Sequence, residues 1–132
     1  DAARRESQRQ VAEGTVRAYE LAQRFDIKTA WGTDILFNPQ NTPNQLRQLA
    51  KLTRFYDPLT VLAMATGRNG ELRALSGPRN PYPGTLGKIE PGAWADLLLV
   101  DGDPSRNLDF LHDPEQNLRM IMKGGRIYKD TR

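Results

Sequence analysis

Val11, Thr15, Ala18, Ala22 and Phe25 recur at alternating steps of four and three, which places them on one face of an amphipathic helix over 5–25. Gly14 weakens that helix slightly. Almost no linker separates it from 27–31, a short β-branched and aromatic segment stopped by Gly32, which reads as a buried strand. A helix passing directly into a strand is α/β grammar.

The stretch 38–41 is irregular and leads into a strong helix start. Thr42 suits the N-cap, Pro43 the first helical position, and Gln45 completes a capping box. Leu46, Leu49, Leu52 and Phe55 then form an apolar stripe. Asp57-Pro58 stops this helix and caps a second one carrying Leu59, Leu62 and Ala63, which ends near Gly67. Asn69 is expected to cap a third, holding Leu72 and Leu75 and closed by Gly77 and Pro78. Pro78, Pro81 and Pro83 support neither helix nor ladder, so the pattern divides the chain into 1–77 and 78–132. Strands follow: a candidate over 85–89, a Pro91-Gly92 turn, then 95–100, apolar on both faces and so expected to be covered on both. Asp101-Gly102-Asp103-Pro104 ends that strand. The segments 118–122 and 126–128 read as a hairpin around Lys123-Gly124-Gly125, whose glycines supply positive φ.

Length limits what this pattern can build. The 132 residues make at most one domain, too few for a complete eight-stranded barrel of about 250. The chain carries 19 Lys and Arg against 16 Asp and Glu, a net +3. The basic residues are interleaved with acids, so a nucleic-acid partner, which would show steep salt dependence, is not expected. Without cysteine, metal chemistry would rest on His and carboxylates. The longest aliphatic run is 97–100, which predicts no membrane partner. Asp1 falls inside the first helical pattern, and residues upstream are expected.

Asp34 is the leading chemical candidate, because it lies just beyond the carboxyl end of the predicted strand, where α/β sheets place ligands and catalytic groups. A carboxylate there could hold a metal or move a proton, or simply cap a loop. His112, the one imidazole, reads as a surface residue beside a turn and offers no Ser-His-Asp or paired-His arrangement. Gly67-Arg68-Asn69-Gly70 reads as helix punctuation rather than a phosphate loop, since no Lys-Ser/Thr follows it. Trp31 and Trp94 read as core or interface aromatics.

Three segments taken in order sharpen this: Ala30-Trp31-Gly32-Thr33-Asp34; then 65–77, opening Ala65-Thr66-Gly67-Arg68-Asn69-Gly70; then 84–100, ending Ala95-Asp96-Leu97-Leu98-Leu99-Val100. With the Asp101-Gly102-Asp103-Pro104 turn and the Lys123-Gly124-Gly125-Arg126 hairpin, this succession resembles the C-terminal third of the amidohydrolase superfamily, in particular the branch of imidazolonepropionases and Xaa-Pro-dipeptidase-like enzymes. The resemblance implies an α/β fold: the C-terminal fragment of a (β/α)8 TIM-like barrel over 1–77, with 27–31 its eighth strand, and part of a small composite β-sandwich over 78–132. It implies a metal-dependent hydrolase of C–N bonds in amides, peptides or cyclic amides. Asp34 would be the strand-eight aspartate, metal contact and general base. The divalent metal, zinc by the resemblance, would need the family's His-x-His, bridging Lys and two later His, none of which has a counterpart here.

The fragment alone is therefore expected to be inactive and to hold no metal. Its open edges are expected to be covered by oligomerisation or by the missing N-terminal part. Small-molecule or peptide substrates and a cytoplasmic location are the corresponding expectations. A different class of function remains open, a stand-alone helix-plus-sheet interaction module without chemistry.

Overall fold

The computed structural model describes all residues, Asp1–Arg132. Helix α1 spans Ala2–Arg24 and is capped by the Asp1 carboxylate, which accepts from the Ala3 N–H at 3.0 Å. Arg9 bridges Glu6 and Glu13, each at 2.7 Å, along the solvent face. The apolar stripe is only partly used. Ala22 is buried and Tyr19 half-buried, whereas Val11 is 67% and Phe25 64% exposed. Tyr19 fastens the helix to the rest of the chain, stacking on Phe55 with ring centroids 4.5 Å apart and meeting Tyr56 edge-on at 5.7 Å.

Asp26 ends α1 in a left-handed conformation, φ 48°. Its N–H donates to the Gln23 carbonyl at 3.2 Å, and the Ile27 N–H reaches back to Ala22 O at 2.8 Å, the paired bonds of a Schellman termination. The chain leaves this turn at once into the segment 27–31, as the sequence pattern required. That segment corrects the expectation of a buried strand, because it belongs to no sheet and Ile27 is 56% exposed. A parallel strand is completed by neighbours on both edges, and no strand of this chain pairs with it.

The helix expected after Thr42 is three short pieces: a 3₁₀ turn Pro39–Asn44, helix α2 Gln45–Ala50 and a second 3₁₀ turn Lys51–Arg54. The capping box does not form, since the Thr42 hydroxyl donates to Pro39 O at 2.7 Å instead. Helix α3, Pro58–Ala65, starts where Asp57-Pro58 placed it, with the Asp57 carboxylate accepting from Thr60 N–H at 3.0 Å. It turns Val61 and Met64 inward rather than Leu59. Helix α4, Gly67–Ala74, begins three residues earlier than the sequence suggested, so Asn69 lies inside its first turn and not at its cap. Leu72 and Leu75 are exposed.

Strands β1 (Leu97–Val100), β2 (Leu118–Lys123) and β3 (Arg126–Asp130) form one antiparallel sheet in that order. Leu98 pairs with Ile121 and Lys123 with Arg126. Gly124 and Gly125, at φ 55° and 78°, make the two left-handed turn positions that the hairpin demanded. Two expectations fail here. The 85–89 segment forms no strand, and β1 is not covered on both faces, since Leu98 and Leu99 are 54% and 44% exposed.

The core lies between α2, α3 and the 3₁₀ turn Asp109–His112, where Leu49, Val61, Met64, Leu108 and Phe110 pack. Short helix α5, Pro114–Asn117, returns the chain to β2. Ten of the 132 residues are buried, so the apolar residues of α1 and β1 find little cover within this chain. The fold is mixed α/β, helices followed by a small antiparallel sheet.

Candidate functional site around Asp34

Asp34 sits at the end of the extended segment that leaves α1. It is exposed and held at φ 49°, in the left-handed region. Aspartate and asparagine tolerate that region better than other side chains bearing a Cβ. Immediately beyond it a turn closes with Asn38 N–H on Ile35 O at 2.8 Å, and Leu36 and Phe37, 80% and 93% exposed, form an apolar tip beside the carboxylate.

Main-chain contacts to the helical layer fix the approach to Asp34. The Trp31 N–H faces two acceptors, Met64 O at 3.3 Å and the Asn69 side-chain oxygen at 3.2 Å. The Asn69 amide N–H donates back to Trp31 O at 2.9 Å and also to Ala65 O at 3.3 Å. Nearby, Lys28 Nζ meets Glu71 Oε2 at 2.8 Å, and Lys88 approaches the other oxygen at 3.6 Å. The Lys28 hydrogen bond holds the Glu71 carboxyl below its ordinary range, with Lys28 and Lys88 charge acting in the same direction.

The structure does not bring the sequence-predicted candidates together. His112 is exposed at the end of the Asp109–His112 turn, where its carbonyl accepts from Arg47 Nε at 2.8 Å. It lines a cleft of about 510 Å³ with Arg54, Tyr56, Asp57 and Asp109. Asp34 lines neither this cleft nor a second, apolar one of about 860 Å³ between α3, α4 and β1, which Trp31, Leu62, Leu86, Leu97 and Phe110 border. Trp94 packs edge-on to Tyr82 at 5.8 Å. Both tryptophans thus have structural neighbours of the kind expected from the sequence.

A zinc ion takes at least three protein ligands. No group of three or more His, Asp or Glu side chains is disposed to hold a metal, so the residues of this chain do not by themselves fit one.

Asn69 is the participant that sequence reading missed. Its partner is 38 residues away, and an asparagine near a helix start looks the same in sequence whether it caps its own helix or grips another segment.

Compared with solved structures, 87% of the chain is similar to a crystal structure of an amidohydrolase, with TM-score 0.65 and 32% sequence identity. The matched region is 26% of that protein, so this chain spans about a quarter of its length. That likeness relates the chain to the amidohydrolases. No family model matches the sequence, nor does any curated protein.

Proposed function

We propose that this chain is part of a metal-dependent amidohydrolase that hydrolyses C–N bonds in amides, peptides or cyclic amides, and that Asp34 is its catalytic carboxylate. The observation that carries the reading is the amidohydrolase likeness at 32% identity over 87% of the chain. On this reading 27–31 is the last strand of a (β/α)8 barrel, and the strands that pair with it lie elsewhere in the polypeptide or in another copy. The exposure of Ile27 and of the α1 stripe supports that arrangement, because these residues have apolar surface and no partner.

Asp34 has the attributes of a general base: it is accessible, it stands at the carboxyl end of the extended segment, and its approach is pinned to α4. A carboxylate so placed accepts a proton from the water attacking the carbonyl carbon and returns it to the leaving nitrogen. Zinc, the metal of this reading, supplies electrophilic activation of the carbonyl and the water when bound. Its ligands other than Asp34 must come from other segments, since this chain offers no such set. The resemblance favours the imidazolonepropionase and Xaa-Pro-dipeptidase-like branch, which gives the first substrates to try.

The test is Asp34→Asn in the polypeptide that contains the whole barrel, assayed on N-acyl amino acids, dipeptides and cyclic amides. Asparagine keeps the left-handed backbone but takes no proton, so turnover should fall about 10²- to 10⁴-fold with the fold intact. Near-normal hydrolysis in a folded variant would overturn the role of Asp34.

A further inference from the structure

We propose that Asn69 is a positioning residue for Asp34, holding through Trp31 the segment that carries the carboxylate. The inference deepens the reading of Asp34 as the catalytic carboxylate and rests on it. Trp31 stands three residues before Asp34, near the end of the segment, and no strand of the β1-β2-β3 sheet pairs with it. Its peptide groups are paired nevertheless. The Trp31 N–H is shared between Met64 O at 3.3 Å and the Asn69 side-chain oxygen at 3.2 Å, while Trp31 O accepts from the Asn69 amide at 2.9 Å, so Asn69 engages both groups of the peptide as a peptide unit would.

Three features make this a stiff support. Asn69 lies in the first turn of α4, and its amide also donates to Ala65 O at 3.3 Å, which fixes its orientation. Trp31 is half-buried against the core, so a peptide group released there does not simply return to water. Between Trp31 and Asp34 stand only Gly32 and Thr33, and a Cβ on Gly32 would meet nothing within 4 Å. The grip on Trp31 is thus the last side-chain anchor before the carboxylate. Aspartate at position 69 would keep its acceptor for Trp31 N–H and lose the donor for Trp31 O, whereas alanine would lose both Asn69 bonds and leave Met64 O alone facing the N–H.

The experiment uses the full-length polypeptide that contains this chain, as wild type, Asn69→Ala, Asn69→Asp and Asp34→Asn, with two readouts. Amide exchange over 28–34 should accelerate about tenfold in Asn69→Ala and less in Asn69→Asp, with α3 amides unchanged. Hydrolysis should lose about tenfold in kcat in Asn69→Ala with KM little altered, because the carboxylate is misplaced while the rest of the pocket stands, and Asn69→Asp should recover part of the loss. Unchanged exchange over 28–34 in Asn69→Ala would overturn the proposal, as would equal loosening of α3 and α4 throughout. Wild-type-like kcat in Asn69→Ala despite faster exchange would also overturn it. The two claims separate through Asp34→Asn: if that variant still turns over, Asp34 is not the base, whatever the exchange data say of Asn69.

Discussion

Gly70 of α4 faces Leu86 so closely that a Cβ built on Gly70 would lie 2.3 Å from the Leu86 carbonyl oxygen. The same junction is seen from the other side at Gly87, whose Cβ would lie 2.3 Å from the Thr66 carbonyl while its φ is 71°. The loop that replaces the expected strand 85–89 therefore lies main chain to main chain on the start of α4.

Gly70→Ala should destabilise the fold by about 1–3 kcal/mol, measured by denaturant unfolding. Helix propensity favours alanine by about 1 kcal/mol, but a clash with backbone cannot be relieved by a rotamer change. Gly14→Ala supplies the contrast. A Cβ on Gly14 has nothing within 4 Å, so that variant should gain up to about 1 kcal/mol from propensity alone. Equal effects of the two substitutions would show that the Gly70–Leu86 approach is not what sets the cost.

Asp26→Gly should stabilise the chain by about 0.5–1 kcal/mol. Position 26 completes the Schellman bonds at φ 48°, where glycine has no steric penalty. Asp26→Val should lose stability, because a β-branched side chain is a poor fit to left-handed backbone. A rank order of Val above Asp in unfolding midpoint would refute the turn geometry.

Glu71 links three segments through Lys28 and Lys88, and its carboxyl is held below its ordinary value of 4.5, chiefly by the Lys28 hydrogen bond. Because the folded value is the lower one, the linkage stabilises fully above the ordinary carboxyl value and is lost as pH falls through the lowered one. Carboxyl NMR should show Glu71 titrating below the usual glutamate range, moving up in Lys28→Ala and less in Lys88→Ala. The pair is solvent-exposed, so added salt should shrink the shift.

The 132-residue chain by itself should bind zinc no better than an isolated surface carboxylate, because Asp34 has no companion ligands. Calorimetric titration checks this. A stoichiometric, tightly held zinc ion that survives Asp34→Asn would place a site elsewhere and count against Asp34 as metal contact.

Features carried by nearest neighbours in the chain were legible from the sequence. Helix α1, the Asp57-Pro58 helix start and the Gly124-Gly125 hairpin formed as read, because each depends on φ preferences and hydrogen bonds among residues a few positions apart. Asp34 was singled out by position and the amidohydrolase resemblance by the order of motifs, and the structural likeness agrees with the latter at the superfamily level. Tertiary structure decided the rest. Segment 27–31 has strand-like residues, yet a strand exists only where a second segment supplies its ladder, and none does so here. Leu59, Leu72 and Leu98 are as apolar as Leu49 and Leu108, but burial is a property of what stands opposite, not of the side chain. Asn69 likewise could not disclose its partner, since a bond to Trp31 across 38 residues is made by the segment 27–31 lying against the start of α4 and leaves no local trace.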